Sequence, residues 1–164
     1  MRGPFTRRRL LISGGAAAAA VPLLAARPAA ASATGALTTL LSPVRVFDSR
    51  EPGNFFGRKL AAGDIVAVAV SAAYQGDDVA SAVFVNVTVT QTEGAGYLAI
   101  VGEDLSGEQP PPTTSNINWS VANITLANLC LTTVGGENSI AVWCRGQGRA
   151  HVIVDVQGYV PFVV

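Results

Sequence analysis

Residues 82–90 read Ala-Val-Phe-Val-Asn-Val-Thr-Val-Thr, and this alternation sets the structural class of the whole chain. Valine occupies every second position, and the residues between the valines are Phe84, Asn86, Thr88 and Thr90. A period of two with β-branched side chains at most positions is typical of a β-strand and not of a helix. The valine face is expected to be buried, so other strands should pair with this one and cover a common core.

Seven further segments show shorter versions of the same pattern, with glycine and proline frequent between them. Short strands at regular spacing with turn signals are typical of an all-β sandwich or barrel. We therefore predict an all-β fold, an antiparallel, jelly-roll-like β-sandwich of about eight or nine strands. Residues 34–41 are expected to be a short lead-in. The other predicted strands are 43–50, 64–71, 97–101, 115–119, 123–131, 139–144 and 150–159.

Three connections carry specific expectations. Residues 93–96 (Glu-Gly-Ala-Gly) predict a hairpin between the strands 82–90 and 97–101. Residues 135–138 (Gly-Gly-Glu-Asn) predict a second hairpin in the same way. The three prolines at 110–112 cannot donate hydrogen bonds to a sheet and favour an extended conformation. They predict a stiff crossover loop between sheets, with a recognition segment as the alternative.

The first 33 residues have the layout of a bacterial export signal. The arginine pair Arg7 and Arg8 directly precedes a mildly apolar, alanine-rich run, and Ala31 and Ala33 are small residues where a signal peptidase reads. The arginine pair and weak apolar run resemble the twin-arginine type of signal, which carries folded proteins. We predict cleavage after Ala33, which leaves a single domain over residues 34–164.

The alternative for residues 1–33 is an uncleaved membrane anchor. Gly14, Gly15 and Pro22 interrupt an apolar run that is already short for spanning a bilayer, so cleavage is favoured. The mature protein is then expected to be secreted or cell-wall-associated, with no membrane contact after cleavage.

Cleavage also changes the net charge. The full chain balances 11 basic residues against 11 acidic ones, but five of the basic residues lie in the signal. The mature chain therefore carries six basic and eleven acidic residues, a net charge near −5. Phosphate contacts need clustered lysine and arginine, so no nucleic-acid partner is expected.

The two cysteines, Cys130 and Cys144, predict a disulfide in an oxidising compartment. Each lies seven residues from Glu137, so a hairpin centred there would place them opposite one another. Closing such a loop stabilises a fold by about 3 kcal/mol in the chain-entropy model. The alternative is two buried free thiols.

Residues that could carry catalysis or bind a metal are scarce. His151 is the only histidine, and no Gly-x-Ser-x-Gly nucleophile motif occurs. Bridged cysteines leave too few ligands for zinc, and the acid pairs at 77–78 and 103–104 lack the spacing of a known calcium loop. No phosphate-binding loop or dinucleotide motif is present. Neither a metal nor a cofactor is expected.

Asp48, Arg50 and Asp155 form the most distinctive charged set. Asp48 and Arg50 project to one side of the first predicted strand, and Asp155 lies on the last, which is often its neighbour in sandwiches. We expect Arg50 to pair with Asp155 or Asp48 and to pin the sheet ends. The alternative is a pair of catalytic carboxylates, as in glycosidases.

A ligand-binding face is the other candidate site. Asn116 and Asn118 offer amide groups that suit hydrogen bonds to polyols, and Trp119 offers a stacking surface. Further aromatic candidates are Tyr97, Trp143 and Tyr159. The alternative is that the aromatic residues are core and the asparagines make turns and strand-edge bonds.

Five motifs in order support one family resemblance. The motifs are Val-Arg-Val-Phe-Asp-Ser-Arg (44–50), Val-Asn-Val-Thr-Val-Thr (85–90), Gly-Tyr-Leu (96–98), Thr-Ser-Asn-Ile-Asn-Trp (114–119) and Val-Asp-Val-Gln-Gly-Tyr (154–159). Together they resemble a β-domain found, often repeated, in secreted and cell-wall-associated proteins of actinobacteria. In that family the unit stands alone or is attached to cell-wall hydrolases, proteases and surface proteins. The resemblance therefore implies an accessory or binding role.

These observations lead to one functional hypothesis and one alternative. The hypothesis is a secreted, non-catalytic β-sandwich module for binding, adhesion or structure at the cell envelope or outside the cell. Its partner would be a cell-wall glycan or an extracellular protein. The alternative is a hydrolase of wall polymers that uses the carboxylates of Asp48 and Asp155.

Overall fold

The computed structural model describes residues 36–74, 79–103 and 110–162, and these residues form an all-β fold. The predicted export signal, with Arg7, Arg8, Ala31 and Ala33, lies outside the described residues. The strands are β1 (Thr38–Asp48), β2 (Leu60–Ala61), β3 (Ile65–Ala69), β4 (Ala80–Glu93), β5 (Gly96–Gly102), β6 (Ile117–Trp119), β7 (Leu126–Thr133), β8 (Ser139–Gly146) and β9 (Arg149–Pro161).

The helices of the described residues are three single turns of 3₁₀ type. They are Phe55–Gly57, Ser71–Ala73 and Gly136–Asn138. None of the helices in these ranges combines the length and the apolar character that a membrane span requires.

The strands form two antiparallel sheets that enclose one core. The first sheet has the order β1-β9-β4-β7, with β2 pairing to β9, and the second sheet has the order β3-β8-β5-β6. The pairs β1 with β9, β3 with β8, β4 with β7, and β5 with β6 describe one long hairpin wrapped around the sandwich. With β2 set aside, this is a jelly roll, which confirms the predicted sandwich.

The core grows from the valine face of β4. Val83, Val85, Val87 and Val89 have no exposed surface, and β9, their neighbour in the same sheet, extends this buried face with its own valines. Burying a valine side chain contributes about 1.5–3 kcal/mol relative to leaving it exposed. The same core cluster includes side chains from the inner face of the second sheet, among them Leu98 on β5.

The two predicted hairpins are wrong because each joins strands of different sheets. β4 pairs with β7 and β9, whereas β5 pairs with β6 and β8, so the chain crosses the sandwich at residues 93–96. β7 and β8 are likewise in different sheets. The proline segment at 110–112, in contrast, lies between β5 and β6 of the same sheet and is not a crossover. Turn residues signal a change of direction but do not specify the sheet that the next strand joins.

The predicted disulfide is absent, and its absence follows from the same topology. Cys130 lies opposite Val85 in the first sheet, and Cys144 lies opposite Leu98 in the second, so the two cysteines do not face one another across a hairpin. Both are buried free thiols. Burial raises the pKa of Cys130 to about 11 and that of Cys144 to about 12.

Candidate functional site

The outer face of the second sheet carries a polar row that crosses three strands. Tyr97 on β5 lies opposite Arg145 on β8 and opposite Asn118 on β6. Their chain neighbours Leu98 and Ile117 point into the core, so the row itself points outward. Side chains directly opposite one another have Cβ atoms about 4.5–5.5 Å apart, so the three groups form one continuous surface.

Two shallow depressions flank this row and share Tyr97 and Asn118. One, of about 330 Å³, lies toward the turns at Ala95 and Gln147. The other, of about 100 Å³, is lined by hydroxyl groups of the segment before β6: Thr113, Thr114 and Ser115. The lining is uncharged and combines an aromatic ring with amide and hydroxyl groups, so it presents both a stacking surface and hydrogen-bonding groups.

The two asparagines at β6 have different roles: Asn116, just before the strand, is structural, and Asn118, within it, is exposed. The side-chain oxygen of Asn116 accepts a hydrogen bond from the backbone N–H of Ile100 at 2.7 Å. The backbone carbonyl of Asn116 accepts one from the side-chain amide of Asn128 at 2.6 Å. Asn118 is exposed and donates to the Ser115 hydroxyl at 3.0 Å, which orders the rim of the smaller depression. Of the two asparagines predicted for the ligand face, Asn118 therefore presents its amide to solvent, whereas Asn116 holds β5.

Trp119 belongs to the core and offers no exposed stacking surface. Its side chain is 4% exposed and packs with Ile117 in the main core cluster. Gly96 makes room for the ring, because a Cβ at that position would lie 2.5 Å from the indole. Tyr159 and Trp143 are also buried, so the half-buried Tyr97 is the most accessible of the four aromatic candidates.

Arg145 is the site residue that the sequence interpretation missed. Its guanidinium lies over the Trp143 ring, 4.5 Å from the ring centroid, and its Nε is buried without a hydrogen-bond partner among the described residues. Trp143 is itself only 5% exposed although it lies on the outer face. The period of two along β8 could have placed Arg145 outward, but its position beside Tyr97 depends on register.

Asp48, Arg50 and Asp155 belong to a linked set of charged side chains at β1 and β9 of the first sheet, whereas the polar row lies on the second sheet. Arg50 makes two side-chain bonds to Asp48, at 2.8 and 2.5 Å. Asp155 is bound instead by Arg45, at 2.8 Å, and Arg45 also approaches Asp48 at 3.5 Å. Asp155 and Asp48 are thus linked through Arg45, which tethers β1 to β9.

Asp48 is held in its ionised form. Hydrogen bonds from Arg50 lower the pKa of this 3% exposed carboxyl group, against the opposing effect of burial. A glycosidase general acid needs the opposite, a raised pKa, so that it carries a proton to donate at neutral pH.

His151 is part of a structural hydrogen bond. The Ser49 hydroxyl lies 3.0 Å from the His151 Nδ1 and accepts the backbone N–H of Val152 at 2.9 Å. Burial, followed by the charges of Lys59 and Arg50, lowers the pKa of His151. Ser49 has no exposed surface, so this serine–histidine pair is closed to a substrate.

Within the described ranges, no group of three or more histidine, cysteine or acidic side chains could hold a metal ion. Comparisons with protein-family models, with curated proteins and with solved structures found no match to this chain. The case for a function therefore depends on the geometry of the site and on the motifs in the sequence.

Proposed function

We propose that this protein is a secreted, non-catalytic module that binds glycans at the cell envelope through the outer face of its second sheet. The observation that carries the proposal is the row around Tyr97 and Asn118, where an aromatic ring, an amide and hydroxyl groups line two shallow adjoining depressions. A sugar ring presents an apolar face and a rim of hydroxyl groups, and this surface is complementary to both.

Binding is favoured over the alternative, a wall-polymer hydrolase, by the state of the proposed catalytic carboxylates. Hydrogen bonds from Arg50 keep the pKa of Asp48 low, and Asp155 forms an ion pair with Arg45. Asp48 is bound by Arg50 and approached by Arg45, and Asp155 joins β9 to β1 through Arg45, so both carboxylates have structural partners. They lie on the first sheet, whereas the two depressions lie on the second. The resemblance to the actinobacterial wall-associated domain points the same way, toward an accessory role.

The binding test is retention of the mature protein, residues 34–164, on mycolated cell wall, peptidoglycan and chitin. Tyr97→Ala and Asn118→Ala should each abolish or strongly reduce retention on the polymer that binds. Phe84→Ala and Asn86→Ala remove the same two kinds of side chain from the outer face of the first sheet and should leave retention unchanged. Equal losses in both pairs, or no retention on any polymer, would overturn the proposal.

Export is proposed on the layout of residues 1–33. When these residues are fused to a reporter that folds before translocation, the reporter should leave the cytoplasm. Replacing Arg7 and Arg8 together by lysine should retain it inside, because the twin-arginine route requires the arginine pair. Export that is insensitive to this replacement would assign the signal to a different route.

A further inference from the structure

We propose that the polar row selects glycans that carry a carboxylate, such as chains of uronic acids, and that Arg145 is the residue that recognises the acid. This inference rests on the proposed function, since it names the class of ligand for the same face.

Apart from its contact with the Trp143 ring, the charge of Arg145 has no carboxylate partner among the described residues. The other basic side chains there are all engaged in ion pairs with described carboxylates: Arg45, Arg50, Arg58, Lys59 and Arg149. Arg145 has no such pair with a described carboxylate, and its buried Nε lacks a hydrogen-bond partner there. Burial of a charged donor without a partner is costly, and a carboxylate bound to the terminal nitrogens of the same guanidinium would offset part of that cost.

The orientation of Arg145 suits recognition of a planar acid. Stacking on Trp143 occupies one face of the guanidinium and, since the Nε is buried, leaves the in-plane N–H groups of the two terminal nitrogens to meet a ligand. A guanidinium with two parallel N–H groups matches the two oxygens of a carboxylate. The stacked ring also reduces the rotamer freedom that Arg145 would lose on binding.

The position of Arg145 couples the acid to the sugar. Arg145 lies opposite Tyr97, which lies opposite Asn118, so a cation, an aromatic ring and an amide follow one another across β8, β5 and β6. A ring stacked on Tyr97 with its hydroxyl groups toward Asn118 would place a substituent on the other side of the ring beside the guanidinium.

A pair of matched ligands tests the inference without altering the protein. Cellohexaose and the corresponding hexamer of β-1,4-linked glucuronic acid share one backbone and differ in the carboxylate at C6. The acidic hexamer should bind the mature protein at least about tenfold more tightly in calorimetry, as expected for a charge-assisted bond. This preference should weaken at about 0.5 M salt, because the charge is near the surface.

Variants of the protein assign the effect to Arg145. Arg145→Gln should remove the preference for the acidic hexamer, and Arg145→Lys, which keeps the charge but not the planar fork, should retain part of it. Arg45→Gln makes the same change in net charge on the first sheet and should leave the preference intact.

The outcomes separate the two proposals. Equal affinity for both hexamers, with binding of both lost in Tyr97→Ala, would overturn the selection of acids and leave glycan binding standing. A preference that survives in Arg145→Gln would overturn the role of Arg145. If neither hexamer binds and no wall polymer retains the protein, glycan binding and the inference are overturned together.

Discussion

Asp48 is a carboxylate that the fold keeps ionised, and this makes stability depend on pH. Its pKa is lowered in the folded state by Arg50, so acidification protonates the unfolded chain first. Stability from Asp48 is complete above the ordinary pKa of 3.8 and is lost as the pH falls below that value. The free energy of unfolding of Asp48→Asn should be about 1–3 kcal/mol lower near neutral pH, with a smaller further decrease at about pH 3.

Urea titrations at both pH values measure this difference. Glu137→Gln is the control, because it removes an exposed acid on the Gly136–Asn138 turn that has no ion pair with a described residue. Its unfolding should follow the wild type at both pH values. If Asp48→Asn lost as much stability on acidification as the wild type, the lowered pKa of Asp48 would be disproved.

The contact between Gly96 and Trp119 links the core to the candidate site. A Cβ on Gly96 would lie 2.5 Å from the indole and 3.0 Å from the Arg145 carbonyl. Gly96→Ala should therefore destabilise the fold by about 1–3 kcal/mol. Gly53→Ala, where nothing lies within 4 Å of the added carbon, should change stability little. Thermal unfolding compares the two, and equal melting temperatures would contradict the tight contact.

The burial of Trp119 also decides which variants can test binding. Trp119→Ala would leave a cavity in the core and cost about 3–5 kcal/mol, so loss of binding would be confounded with loss of folding. The sequence pattern already indicated this burial, because the alternation at residues 116–119 puts Trp119 on the same strand face as Ile117. Tyr97 is half-buried on the outer face, so Tyr97→Ala is the better variant for testing binding.

At the level of strands, local patterns could be predicted and pairing could not. The valine alternation of β4 is a local property, and it placed the strand and its buried face correctly. The partners of β4 are β7 and β9, which follow much later in the chain, and no local signal names them. The polar row has the same limit, because Tyr97 and Arg145 become neighbours only through the register of β5 with β8.

The two cysteine-bearing strands give a chemical test of that topology. Because β7 and β8 belong to different sheets and both thiols are buried, a thiol reagent at about pH 8 should react slowly with the folded protein. In denaturant without reductant, both thiols should react. The protein should be isolated from an oxidising compartment, and its melting temperature should not change with added reductant. If no free thiol reacted in denaturant, the two cysteines would be shown to form the disulfide after all.

On the scale of the whole molecule, β9 is the strand on which the first sheet depends. It pairs with β1, β2 and β4, and it comes last among the described strands. Its contacts join residues that are far apart in sequence, as in the Arg45–Asp155 pair, whose members are separated by 110 residues. Such pairing is slow to form, because loops must close before the contacts stabilise them.

A chain that ends at residue 148 should therefore fail to fold. Without β9, the strands β1 and β2 lose the one strand that pairs with them among the described residues, and β4 loses its longest backbone pairing. We expect no cooperative thermal transition by circular dichroism. The control begins at Pro43 and removes the start of β1, an edge strand whose paired residues from Val44 onward remain. This control should unfold cooperatively, at a lower temperature than the mature protein of residues 34–164. A cooperative transition without β9 would show that β3 to β8 are stable by themselves, and the wrapped hairpin would then not fold as a single unit.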